Sequence, residues 1–286
     1  MHTATSTAII SNFLINLLIS GSLNLLWGMI NCLQIISHFP LVNVLVPANC
    51  QLLFGIMVKI ATFDVIPVDG IMEDITRWLG VEDDGYLLSK NFHDFDYNTT
   101  NPIDNLEVIF FAFIFLMILP VVFKMIELLF SYCNRMTRPL HNFKTKVMYW
   151  NLYLRFFLET FLEFSIVSLI RLRFIKATSL VETTLSLYGL LILIMMTAYM
   201  VCVLPFLRKN HDLISTEEFK DRFGTLTLGL QTRDESALYY PFVFMLRRFV
   251  FSIMVVFLSS TNYFQIQLLV FKTSMVMAFQ GQVQPF

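Results

Sequence analysis

Apolar positions along this chain gather in long blocks. A helix needs about 20 apolar residues to cross a hydrocarbon layer, and seven stretches approach or meet that length: 8–37, 46–66, 106–131, 148–170, 181–207, 238–260 and 262–282. The pattern predicts an all-α fold, a polytopic transmembrane helix bundle of six to seven segments that forms one domain over residues 1–286. The second stretch is the weakest, because Pro47, Asn49, Gln51, Lys59 and Asp64 interrupt it. A tilted or re-entrant helix would also fit there. Polar connections fall at about 67–105, 132–147 and 208–237.

Polar residues inside the blocks keep helical spacing. Asn24, Trp27, Asn31, Gln34 and His38 recur at steps of three and four, so they share one face of the first segment. Asn151, Arg155, Glu159 and Glu163 do the same at steps of four on the fourth. A charge at mid-bilayer costs about 2.5 to 3.5 kcal/mol on insertion scales, so such a face turns inward. Lys124, Arg247, Arg248 and Lys272 are the candidate partners of the two carboxylates. Two readings stay open: a cation-attracting or voltage- or proton-sensitive face, or an ion network that fixes helix register. Interhelical hydrogen bonding is the plainer reading of the first segment's polar face.

Composition agrees with the pattern: of 286 residues 56% are hydrophobic and 14% charged, and the mean hydropathy is +0.67. No Asp, Glu, Lys or Arg precedes Lys59. A soluble surface needs polar cover, so the chain reads as a multi-pass integral membrane protein of the plasma membrane or an endomembrane, with the lipid bilayer as its first partner. No basic domain suits it to nucleic acid. Residues 65–107 hold ten acids against Arg77 and Lys90, which places that loop outside the cytosol. Asn98-Thr99-Thr100 in the same loop is a glycosylation acceptor pattern, with Asn98 as its acceptor. The connection with Arg135, Arg138, Lys144 and Lys146 and no acid reads as cytosolic, as does 208–236. Arg171, Arg173 and Lys176 would lie outside under this alternation and count against it. In the last connection, Ser215 and Glu218 are the expected capping box of a short helix whose Phe219 and Phe223 form an apolar face.

The four cysteines and five histidines show no spacing of a disulfide framework or metal site. No nucleophile, base and orienter come together in sequence, so neither an enzyme nor a cofactor is expected.

Three ordered motifs carry a family resemblance. The first lies in LWGMINCLQIISHFPLVNVLVPANCQLLFGIMVKIATFDVIP: Trp27, Leu33-Gln34, Pro47 to Asn49, and Phe63-Asp64 to Pro67. The second is RFFLETFLEFS, and the third is FKDRFGTLTLGLQ followed by FMLRRFVFS. With these motifs the chain resembles the TRP-like, polycystin-like membrane module of ciliate surface proteins, distantly related to fungal TRP-like and flavin-carrier proteins. The resemblance implies a cation channel or channel-related module, a homo-oligomer if it conducts. It also implies an extracellular cysteine-rich region before the module and further membrane segments after Gln284-Pro285-Phe286, so that this chain would be a fragment. Alternative functions are the transmembrane anchor of a receptor-like surface protein, or a small-molecule carrier.

Overall fold

The computed structural model describes residues 34–44, 46–61, 69–81, 88–93, 95, 97–129, 150–231 and 234–285. Among the described residues every regular element is helical: α1 (Ala48–Ala61), α2 (Asp69–Leu79), α3 (Lys90–His93), α4 (Pro102–Leu129), α5 (Tyr153–Arg173), α6 (Leu180–Lys209), α7 (Glu217–Thr227), α8 (Tyr240–Phe257) and α9 (Asn262–Val283). Short 3-10 turns at Phe39–Leu41, His211–Leu213 and Glu235–Tyr239 join them.

Three of these helices are long and apolar enough to cross a membrane: Pro102–Leu129, Leu180–Lys209, and α8 with the 3-10 turn before it, Glu235–Phe257. The 21 residues of α5 rise about 31 Å, enough in length. Its five charges, Arg155, Glu159, Glu163, Arg171 and Arg173, set it apart from a helix that faces lipid. The 22 residues of α9 are diluted by Gln265, Gln267, Lys272, Gln280 and Gln282. At 14 residues the described part of α1 rises about 21 Å, short of a full crossing. Of the first predicted segment only residues 34–37 are described, and they are helical; Asn24, Trp27 and Asn31 lie outside the described residues.

Proline acts locally in three different ways. Pro241 sits in the first turn of α8, where its missing N–H costs nothing. Pro205 lies inside α6 near its end and does not terminate it, since the helix continues to Lys209. Pro120 lies inside α4 and leaves the Leu116 carbonyl, four residues back, without its helical donor. The Tyr153 hydroxyl supplies the missing donor at 2.8 Å. The α4 run also breaks at Glu107, where φ 20° and ψ −96° join two helices across a kink.

The chain divides into two compact units. The first comprises residues 1–109, 166–190 and 252–268, with Leu41, Phe92, Leu106, Ile166 and Ile170 in its interior. The second comprises 110–165, 191–251 and 269–286, with Phe161, Leu162, Met196, Leu207, Met245 and Phe251 inside. Phe115, Met117, Ile118, Val121, Met125, Leu128 and Leu129 of α4 are exposed together, an apolar surface that suits lipid and not water.

Candidate functional site

The second unit gathers the charges that the helical spacing singled out. Glu159 and Glu163 on α5 are buried, at 6% and 3% exposure, and Arg248 of α8 and Lys272 of α9 are buried in the same unit. The Nη1 of Arg248 donates to the Leu158 carbonyl at 2.7 Å, which seats the guanidinium beside the turn that carries Glu159. The guanidinium also lies 4.1 Å from the centroid of the Phe244 ring. A cation over an aromatic face is favoured most where water is excluded. The Lys272 Nζ lies 4.9 Å from the Phe251 ring centroid and within electrostatic reach of Arg247, a like charge. Arg155, half-buried, is within electrostatic reach of Glu159. Lys124 does not join this group. It is exposed and stands 4.0 Å from Glu127 on its own helix, so it is corrected from buried partner to surface charge.

Helix α5 is held at successive turns by polar groups from different helices. Tyr153 binds Leu116 of α4, the Tyr199 hydroxyl of α6 donates to the Leu154 carbonyl at 3.3 Å, and Arg248 of α8 takes the Leu158 carbonyl. A helical carbonyl has a second lone pair for such a bond. Aromatic packing backs these contacts, with Phe113 stacked on Phe156 at 6.2 Å and Phe157 against Tyr199 at 6.1 Å.

Asn151, the fourth member of the predicted row, has a different task. Its Nδ2 donates to the carbonyls of Lys220 (3.3 Å) and Asp221 (2.6 Å) on α7, and its Oδ1 accepts from the Thr225 backbone N–H at 3.0 Å. The Thr225 hydroxyl donates to the same Oδ1 at 3.0 Å. The apolar face of α7 docks here too. Phe219 and Phe223 lie 6.1 and 4.9 Å from Phe206 of α6, and Phe223 lies 5.9 Å from Trp150. The cap of α7 is corrected by one residue. Thr216, in extended conformation, accepts from the Phe219 N–H at 3.3 Å, while Glu218 pairs with Arg222 at 3.1 Å.

The first unit holds a separate polar network. Arg171, 1% exposed, is paired with Glu182 at 2.5 Å and also donates to the Glu182 carbonyl (2.8 Å), Ser186 (2.9 and 3.1 Å) and Thr100 (3.2 Å). Gly189 allows α6 to approach, since a Cβ there would stand 3.0 Å from the Cβ and Cγ of Arg171. Arg173 donates to the Val256 carbonyl and to Ser259 (2.9 Å). Asn43 ties the same α8–α9 turn, donating through its side chain to the Ser259 carbonyl (3.1 Å) and through its backbone to Gln265 (2.9 Å). Gln34 and His38 are buried; the His38 Nδ1 is 2.6 Å from the Gln34 carbonyl, which requires a proton on Nδ1, and Nε2 lies 3.4 Å from the Tyr97 hydroxyl. Asn98 is exposed. Among the described residues no group of three His, Cys, Asp or Glu is arranged to hold a metal.

No family model, curated protein or solved structure matches this chain. The residues that sequence reading missed include Glu182, Asn43, Ser259 and Gln265, and the hydroxyls of Tyr153, Tyr199, Ser186 and Thr225. The one signal for Glu182 was local: it is the single acid within reach of the basic cluster Arg171, Arg173 and Lys176.

Proposed function

We propose that this chain is a multi-pass integral membrane module of the TRP-like, cation-channel-related type, with six to seven crossings and the acidic loop outside the cytosol. The observation that carries this reading is the pair of carboxylates, Glu159 and Glu163, buried on one face of α5 in the unit that also buries Arg248 and Lys272. Ionised carboxylates inside an apolar bundle attract cations and respond to a transmembrane field, because neither water nor salt screens them there.

Current recording from the reconstituted full-length protein tests the proposal. Cation current is expected under voltage, calcium or stretch, with selectivity or gating altered by Glu163→Gln. Silence under all three stimuli overturns the channel reading. A second reading, an anchor whose charges hold helices in register, is favoured by the bonds from Tyr153, Tyr199 and Arg248 that fix α5. It predicts that Glu163→Gln lowers the folded yield; normal yield together with altered selectivity counts against it.

A further inference from the structure

The contact between Asn151 and α7 has a geometry that a solvated loop helix has no need of. In a helix the N–H of residue 225 bonds the carbonyl of residue 221. The Asn151 carboxamide addresses both groups, donating to the Asp221 carbonyl at 2.6 Å and accepting from the Thr225 N–H at 3.0 Å. Of the side chains of this length, only a primary amide offers donor and acceptor side by side: aspartate lacks the donor and leucine lacks both. Residues 150–152, which carry Asn151 into α5, form a π turn, a winding that recurs at functional positions.

Two more attachments hold the same loop. Phe219 and Phe223 pack on Phe206 at the end of α6, and the Gln231 N–H donates to the Pro285 carbonyl beyond α9 at 2.8 Å. At 11 residues α7 is too short to be stable by itself, so its order depends on these attachments. Asn151 in turn lies two residues before the start of α5, which carries Arg155 and Glu159 in its first two turns.

We propose that α7 is a regulatory clamp on the N-terminal entry to α5, engaged through the Asn151 carboxamide, and that its release loosens the segment carrying Arg155, Glu159 and Glu163. Asn151 is a positioning residue in this device. The regulatory consequence rests on the channel reading above; the mechanical coupling does not.

Hydrogen exchange on the full chain in lipid nanodiscs separates the two. Asn151→Ala is expected to accelerate amide exchange over 217–227 about ten-fold, as loss of one to two net hydrogen bonds implies, with the acceleration extending into 153–163. Phe223→Ala, which undoes the docking by another route, is expected to give the same pattern, and Thr225→Val a weaker one. Acceleration confined to 217–227, or none, overturns the clamp. A silent wild type in current recording counts against the channel reading alone. In conducting protein, Asn151→Ala with unchanged gating overturns the regulatory role.

Discussion

Arg171 in the first unit and Arg248 in the second are both sealed from solvent, at 1% and 0% exposure, yet different chemistry meets their charges. Arg171 faces a carboxylate at 2.5 Å and uses its remaining donors on two hydroxyls and a carbonyl. The guanidinium fork suits such a set, and the ion pair is neutral as a whole. Arg248 instead donates to the Leu158 carbonyl and lies over Phe244. It shares its unit with two buried carboxylates, Glu159 and Glu163, and with a buried amine, Lys272. A locally closed pair suits a structural staple. A unit that buries several ionisable groups together leaves room for response to a field or an ion.

Breaking Arg171 is expected to have the largest effect. Arg171→Met strands the Glu182 carboxylate and should cost about 3–5 kcal/mol, read as a lowered unfolding temperature in detergent. Arg171→Met with Glu182→Leu removes both charges and should recover most of that loss. A single variant as stable as wild type would show that the pair is no staple. Arg248→Met removes a charge-assisted hydrogen bond and a cation–π contact and is expected to cost about 2 kcal/mol or more. An Arg248→Met variant as stable as wild type would show that the contacts to Leu158 and Phe244 do not hold α8 against α5.

Much of this contrast was beyond the reach of sequence. Block length and helical spacing identify α4, α5, α6, α8 and α9, and the step of four places Glu159 and Glu163 together, because these features depend on one helix at a time. Partners depend on how helices meet. Arg171 and Thr100 are 71 residues apart, and Arg248 and Leu158 are 90. Charge counting therefore registered Arg171 as one of a basic cluster without seeing that it pairs with Glu182. The cap of α7 failed for a different reason. Ser215 and Thr216 are both good capping residues, and the choice falls to Thr216 through its backbone, φ −75° and ψ 146°, which composition does not reveal. Lys124 followed the apolar block in sequence but faces outward, since an apolar helix gives no periodic hint of which side is inside.

Gly189 sharpens the comparison from the apolar side of Arg171. A Cβ at 3.0 Å is tighter than ordinary contact, so Gly189→Leu must displace either α6 or the arginine and should cost about 1–3 kcal/mol. Gly189→Ala should cost less, as the aliphatic stem of Arg171 has only to give by a few tenths of an ångström. Equal stability of Gly189→Leu and wild type, measured by the same thermal unfolding, would mean that the close approach does not hold Arg171 in place.

The smallest expected effect lies next to Thr100. Asn101 caps α4: its Oδ1 accepts from the Ile103 N–H at 3.0 Å, and its Nδ2 donates to Asp104 at 2.8 Å. Asn101→Ala leaves that amide of the first turn without its acceptor, at a typical cost of about 1 kcal/mol. Asn101→Asp keeps the acceptor but sets a second carboxylate beside Asp104, so it should recover only part of the loss. The cap also bears on the closed pair, because Thr100, the residue before it, accepts from Arg171. If the first turn of α4 and the arginine network are coupled, the losses from Asn101→Ala and Thr100→Val will not add in the double variant. Additive losses would confine the network to Arg171, Glu182 and Ser186.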